Sequence, residues 1–97
     1  MKTTSFHPDA LAELRQQAVF YEQRVAGLGE RFITQVEAAI RLAAAMPGIG
    51  SPYLHGTRRV FPKDFPHSVV YRHTSDGLIV IAVAPFRRKP VYWRQRQ

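Results

Sequence analysis

The residues able to act on a ligand are cationic and aromatic, and they crowd into the second half of the sequence. They are Arg58, Arg59, Lys63, Arg72, Arg87, Arg88, Lys89, Tyr92, Trp93, Arg94 and Arg96. Guanidinium groups grip phosphates and carboxylates through paired donors and stabilise negative charge that builds in a transition state. Aromatic rings stack on splayed bases. These parts suffice for a metal-free ribonuclease: the RNA supplies its own 2′-OH, arginines hold the phosphate, and Tyr92 or a histidine moves the proton. Tyr92 and Trp93 suit equally well a role closing the core, and Tyr71 and Phe65 read as core. His67 and His73 read as strand residues facing water. Arg59 and Arg88 also suit pairing with helix carboxylates or with an acidic partner.

Other chemistries lack their residues. There is no Gly-rich phosphate loop, His-Glu-x-x-His pair or Gly-x-Ser-x-Gly elbow. With no cysteine, a disulfide scaffold, a thiolate zinc site and a cysteine nucleophile are excluded. His7, His55, His67 and His73 have no metal-ligand spacing, so neither a metal nor another cofactor is expected. Asp76 is accounted for by a turn.

The elements that position the cationic set follow from periodicity. Pro8 and Asp9 suit a helix start. Leu11, Leu14, Ala18, Tyr21, Val25 and Leu28 then recur at alternating spacings of three and four, an amphipathic helix that Gly27-Leu28-Gly29 interrupts. A second stripe runs through Phe32 or Ile33, Val36, Ile40 and Ala43 to Pro47-Gly48. So short a link predicts an αα-hairpin, with Glu13, Arg24, Glu30 and Glu37 facing water. Strands are expected at Thr3 to Phe6, Arg58 to Phe61, Ser68 to His73 and Leu78 to Ala84, the last two joined by Ser75-Asp76-Gly77. The order is β-α-α-β-β-β. It predicts a small α+β domain with the N-terminal αα-hairpin packed on one face of a mainly antiparallel sheet.

Size and charge agree with one basic domain spanning residues 1–97. The chain carries 14 Lys and Arg against 7 Asp and Glu, a net charge of +7, and 45% apolar residues. Residues 1–56 are balanced, so the whole excess lies in residues 57–97 and draws in nucleic acid or an acidic protein. No apolar run approaches the about 20 residues that span a bilayer, and the first residues lack a signal-peptide core. A cytoplasmic protein without a membrane partner is expected.

Several segments together resemble one family, the RelE/ParE superfamily of bacterial type II toxin–antitoxin toxins. They are Phe6-His7-Pro8-Asp9-Ala10 leading into Glu13-Leu14, Tyr21-Glu22, Leu28-Gly29-Glu30-Arg31-Phe32, Pro47-Gly48-Ile49-Gly50, Arg58-Arg59, Phe65-Pro66, Val70-Tyr71, the strand Ile79 to Val83, and Arg87-Arg88-Lys89-Pro90-Val91-Tyr92-Trp93. The resemblance implies a growth-inhibiting toxin neutralised by an antitoxin that lays a partly disordered, acidic segment over it. RelE-like members cleave mRNA on the ribosome without metal, whereas ParE-like members poison DNA gyrase and are not nucleases. Carried onto this sequence, the catalytic candidates are Arg87, Arg88, Tyr92 and Arg59. The candidates for binding nucleic acid or another target are Arg58, Arg72, Lys63, Lys89, Trp93 and Arg94. Relatives with this C-terminal pattern often carry His in place of Pro85 and Tyr in place of His67. The arginine–tyrosine set leans toward mRNA cleavage; gyrase poisoning and a non-toxic antitoxin-binding module are the alternatives.

Overall fold

The computed structural model describes residues 3–89 and 92–97. Lys2, and Pro90 and Val91 of the C-terminal motif, lie outside the described residues.

Strand β1 (Thr3–Phe6) leads into α1 (Pro8–Arg24) and α2 (Leu28–Ala45). At the start of α1, Pro8 occupies the first turn, and the His7 ring nitrogen accepts the Asp9 N–H at 3.1 Å. This satisfies one of the donors that a helix start leaves unpaired. The junction between the helices is capped from α1: the Glu22 carboxylate accepts the N–H of Gly27 at 2.8 Å and of Gly29 at 3.0 Å. Gly29 lies inside α2, not in a break between helices, and α2 passes so close to α1 there that an added Cβ would strike the Ala18 carbonyl. The helices bury Ala10, Leu14 and Ala18 on α1 and Phe32, Val36, Ile40 and Ala43 on α2. Of the two residues that fit the second stripe, Phe32 takes the core position and Ile33 packs at its margin.

After α2 come β2 (Ser51–Pro52), β3 (Arg58–Val60), β4 (His67–Thr74) and β5 (Gly77–Pro85), with 3-10 turns at Leu54–Gly56 and Arg94–Arg96. The sheet order is β1-β5-β4-β3-β2, antiparallel except where β1 runs parallel to β5. The expected β-α-α-β-β-β order is therefore present, with β2 as an additional two-residue edge strand. Gly77, at φ 150°, opens β5 where a Cβ would collide with the Thr3 backbone, so the hairpin turn also admits β1.

One irregularity organises the far half of β5. Val70 pairs with Ala82 and Tyr71 with Val80, leaving Ile81 as the extra residue of a β-bulge. Before the bulge Leu78 and Val80 face the helices; after it Val83 does, while Ile81 and Ala82 turn to the opposite face. Because β1 pairs only as far as Val80, the β5 edge beyond it has no strand partner on that side among the described residues. The core is split accordingly. One cluster lies between helices and sheet and includes Phe65 and Tyr71, both core residues as expected. The Tyr71 hydroxyl donates to the Pro47 carbonyl at 2.6 Å and accepts the Gly50 N–H at 3.2 Å, pinning the loop after α2. The second cluster, on the other face, is Val70, Ile81, Ala82 and Trp93, flanked by Tyr53, Ile79 and Tyr92. The C-terminal residues thus cover the sheet face that the helices leave open.

Two sequence expectations are corrected. Glu13 does not face water: its side chain is 14% exposed because it is held against the β5 edge and the C-terminus. His67 is not a surface residue but 1% exposed, facing α1; His73, near the end of the same strand, is exposed.

Candidate target-binding site

A cavity of about 210 Å³ opens on the sheet face opposite the helices. Its walls come from Arg59 on β3, Ser68 and Val70 on β4, Ala84 and Pro85 on β5, and Phe86, Arg88 and Lys89 just beyond; Tyr53, Tyr92 and Trp93 close it. Among the described residues, three cations and no carboxylate line it. Arg59 is held by stacking: its guanidinium carbon lies 4.0 Å from the Tyr53 ring centre and 5.2 Å from that of Phe61. One of its nitrogens donates to Ser68 Oγ at 3.4 Å, while Nε is buried with no hydrogen-bond partner among the described residues. Arg88 sits 3.9 Å over the face of Tyr92.

Tyr92 itself is committed to a clasp. Its hydroxyl donates to Glu13 Oε2 at 2.7 Å. The same carboxylate accepts the Val83 N–H at 3.0 Å and two Arg96 guanidinium bonds at 2.8 and 3.1 Å. Arg96 also donates to the Ile81 carbonyl at 3.2 Å. Glu13 and Arg96 therefore serve the backbone groups of β5 that lie past the end of β1, doing with side chains what a strand would do. Burial, then the hydrogen bond and charge of Glu13, push the Tyr92 phenol far above its ordinary range. At neutral pH it is a fixed donor whose proton is already placed.

The remaining predicted residues scatter. Arg87 falls on the helix side of the chain end, lining a separate cavity with Phe20, Tyr21 and His67. Arg58 fastens the loop after α2, donating to the carbonyls of Gly48 at 3.3 Å and Gly50 at 2.7 Å. Arg72, Lys63 and Arg94 are exposed and outside the cavity wall. Trp93 is 1% exposed and acts as the cavity's core-side wall. The structure thus gathers Arg59, Arg88, Lys89, Tyr92 and Trp93, and leaves Arg87, Arg58, Arg72, Lys63 and Arg94 apart.

His67 also lacks the freedom of a proton carrier. Its Nε2 bonds Gln17 Oε1 at 3.1 Å, and Nδ1 is sealed without a partner among the described residues. Burial, aided by the charge of Arg87, lowers its pKa to about 4, so the ring is neutral. Sequence reasoning missed Glu13 and Gln17, and a signal was available. Both sit beside the buried stripe of Ala10, Leu14 and Ala18, where a polar side chain needs a partner inside the fold. Among the described residues, no cluster of three or more His, Cys, Asp or Glu could hold a metal ion, and no helix is long and apolar enough to cross a membrane.

Fold and cavity together define a basic α+β domain with a helical hairpin on one sheet face and a cationic, aromatic-walled cavity on the other. A family model described as "ParE toxin of type II toxin-antitoxin system, parDE" matches residues 5–90, and the chain belongs to that family. It shares its fold with a solved structure described as the chromosomal ParDE TA system from P. aeruginosa, at a TM-score of 0.65 and 19% identity over 88% of this chain and 96% of that one. Compared with the curated proteins, the sequence matches none.

Proposed function

We propose that the protein is a growth-arresting toxin that acts in the bacterial cytoplasm by binding DNA gyrase rather than by cutting RNA, and that its antitoxin partner holds it inactive. The observation that carries this reading is the bond from Tyr92 to Glu13. A nuclease of the type inferred from the arginines needs a residue that exchanges a proton at neutral pH near the bound phosphate. Tyr92 is fixed as a donor and His67 is sealed on the other side of the sheet. The match to the ParE family supports the same choice. Arg59, Arg88 and Lys89 then form a binding surface, with Tyr92 and Trp93 holding its shape.

Pulse labelling after induction in a bacterial host tests this reading. DNA synthesis is expected to fall first, with a DNA-damage response, while protein synthesis continues. Early failure of protein synthesis with new mRNA ends would return the assignment to ribosome-dependent cleavage. Continued growth despite soluble protein would remove the toxin reading altogether.

A further inference from the structure

Pro85 and Phe86 form a ridge between two cavities. On the side away from the cationic cavity lies one of about 190 Å³, walled by Phe20, Tyr21, Pro66, His67, Phe86 and Arg87. Its walls are mostly rings and two prolines, Pro66 and Pro85; its polar members are Arg87, the neutral His67 and the Gln17 amide that bonds that histidine. Among the described residues, no carboxylate lines it.

The surface around this cleft is unusual for a small soluble domain, in which large apolar side chains normally stand singly. Phe86 is 57% exposed, Phe61 45% and Phe20 39%. They are contiguous: Phe86 and Phe61 meet edge to face with ring centres 6.0 Å apart, and Phe86 and Phe20 share the cleft. Arg24 lies 4.4 Å over the Phe20 ring, and Arg87 stands exposed on the opposite wall. An apolar slot between two exposed arginines has the composition of an interface hot spot.

Charge chooses the occupant. A second copy of this chain would set Arg24 and Arg87 against like charges, and the net +7 of each copy would oppose approach. A nucleic-acid strand would find only two phosphate donors here, Arg24 and Arg87, beside exposed phenylalanine rings, whereas the denser set of Arg59, Arg88 and Lys89 lies on the other side of the ridge. An acidic peptide with one large apolar side chain satisfies both features: the side chain enters the slot and flanking carboxylates meet the arginines. We infer that the cleft between α1 and the Pro85–Arg87 segment anchors an acidic, apolar-centred segment of the antitoxin, gripping the toxin beside the cationic cavity rather than within it. This rests on the toxin reading above.

The test uses the full chain expressed with and without its cognate antitoxin. Phe20→Ser and Arg24→Glu change only the cleft rim on α1 and leave the cationic cavity intact. The expected result is escape: both variants arrest growth like the wild type, neither is rescued, and purified antitoxin binds each at least about 30-fold more weakly by calorimetry, the scale of losing a hot-spot residue. Arg24→Lys keeps most of the affinity, which separates charge loss from damage to α1. Variants that are rescued, and that bind within twofold of the wild type, overturn the assignment while the toxin reading stands. A wild type that fails to arrest growth overturns the toxin reading and this inference with it. A dimer that Arg24→Glu dissociates, or RNA binding that it abolishes, assigns the cleft to another occupant and overturns the inference.

Discussion

Glu13, in the second turn of α1, and Arg96, next to the last residue, are joined by two bonds of 2.8 and 3.1 Å across 83 positions of sequence. Both side chains are 14% exposed. The pair ties the C-terminal residues to the open edge of β5, with Asp9 adding a longer contact to Arg96 at 3.8 Å. The cavity wall of Arg88, Tyr92 and Trp93 depends on this tie, because Tyr92 is held from below by the same carboxylate.

Removing one member of this pair strands the other in a poorly solvated place. Glu13→Gln is expected to destabilise the fold by roughly 3 kcal/mol, a large share of the about 5–15 kcal/mol that such domains possess. The exposed pair of Arg31 and Asp64, also at 3.1 Å, is the internal contrast: Asp64→Asn is expected to cost about 1 kcal/mol or less. Urea unfolding of both variants measures the difference.

Tyr92→Phe deletes the hydroxyl bond to Glu13 but keeps the ring under Arg88. The expected cost is about 1–2 kcal/mol of stability, with growth arrest retained. Viable counts after induction check this, because a tyrosine that moved a proton in catalysis could not be replaced by phenylalanine.

Charge reversal separates the cavity from the rest of the basic surface. Arg88→Glu is expected to abolish growth arrest, since it places a carboxylate in the cationic cavity. Arg72→Glu, exposed on β4 outside that wall, is expected to leave arrest within about threefold of the wild type. Dose–response of growth against inducer reads both.

His67 gives a pH dependence with a defined sign. Its folded pKa of about 4 lies below the ordinary 6.5, so the unfolded chain binds the proton more readily. The neutral ring's contribution is complete above pH 6.5, declines as pH falls toward 4, and loses nothing further below that. A change of a few kcal/mol across this window is expected, and His67→Gln should flatten it. Urea midpoints at pH 4.5 and 7 provide the measurement.

Much of the scaffold was legible because local rules and tertiary packing agree. The stripe through Leu14 and Ala18, the Pro8 start and the Asp76-Gly77 turn each have one physical solution. The bulge at Ile81 was not legible, since it depends on which β4 residue each β5 residue meets. Nor was the open edge beside it, which begins where β1 stops pairing at Val80 and which Glu13 and Arg96 serve. Arg87 and Arg88 are adjacent in sequence, yet the chain turns after β5 ends at Pro85 and sends them to opposite sides. Composition grouped all the arginines into one site. Only the three-dimensional path divides them into a cavity wall, a loop fastener at Arg58 and a second cleft.

The most direct test of the central claim is a supercoiling assay with purified gyrase, relaxed plasmid and ATP, run with the wild type and with Tyr92→Phe. The account predicts that both block supercoiling and trap gyrase-cleaved DNA to the same extent. Unimpaired supercoiling with either protein, together with cleavage of mRNA on ribosomes by the wild type alone, would contradict it.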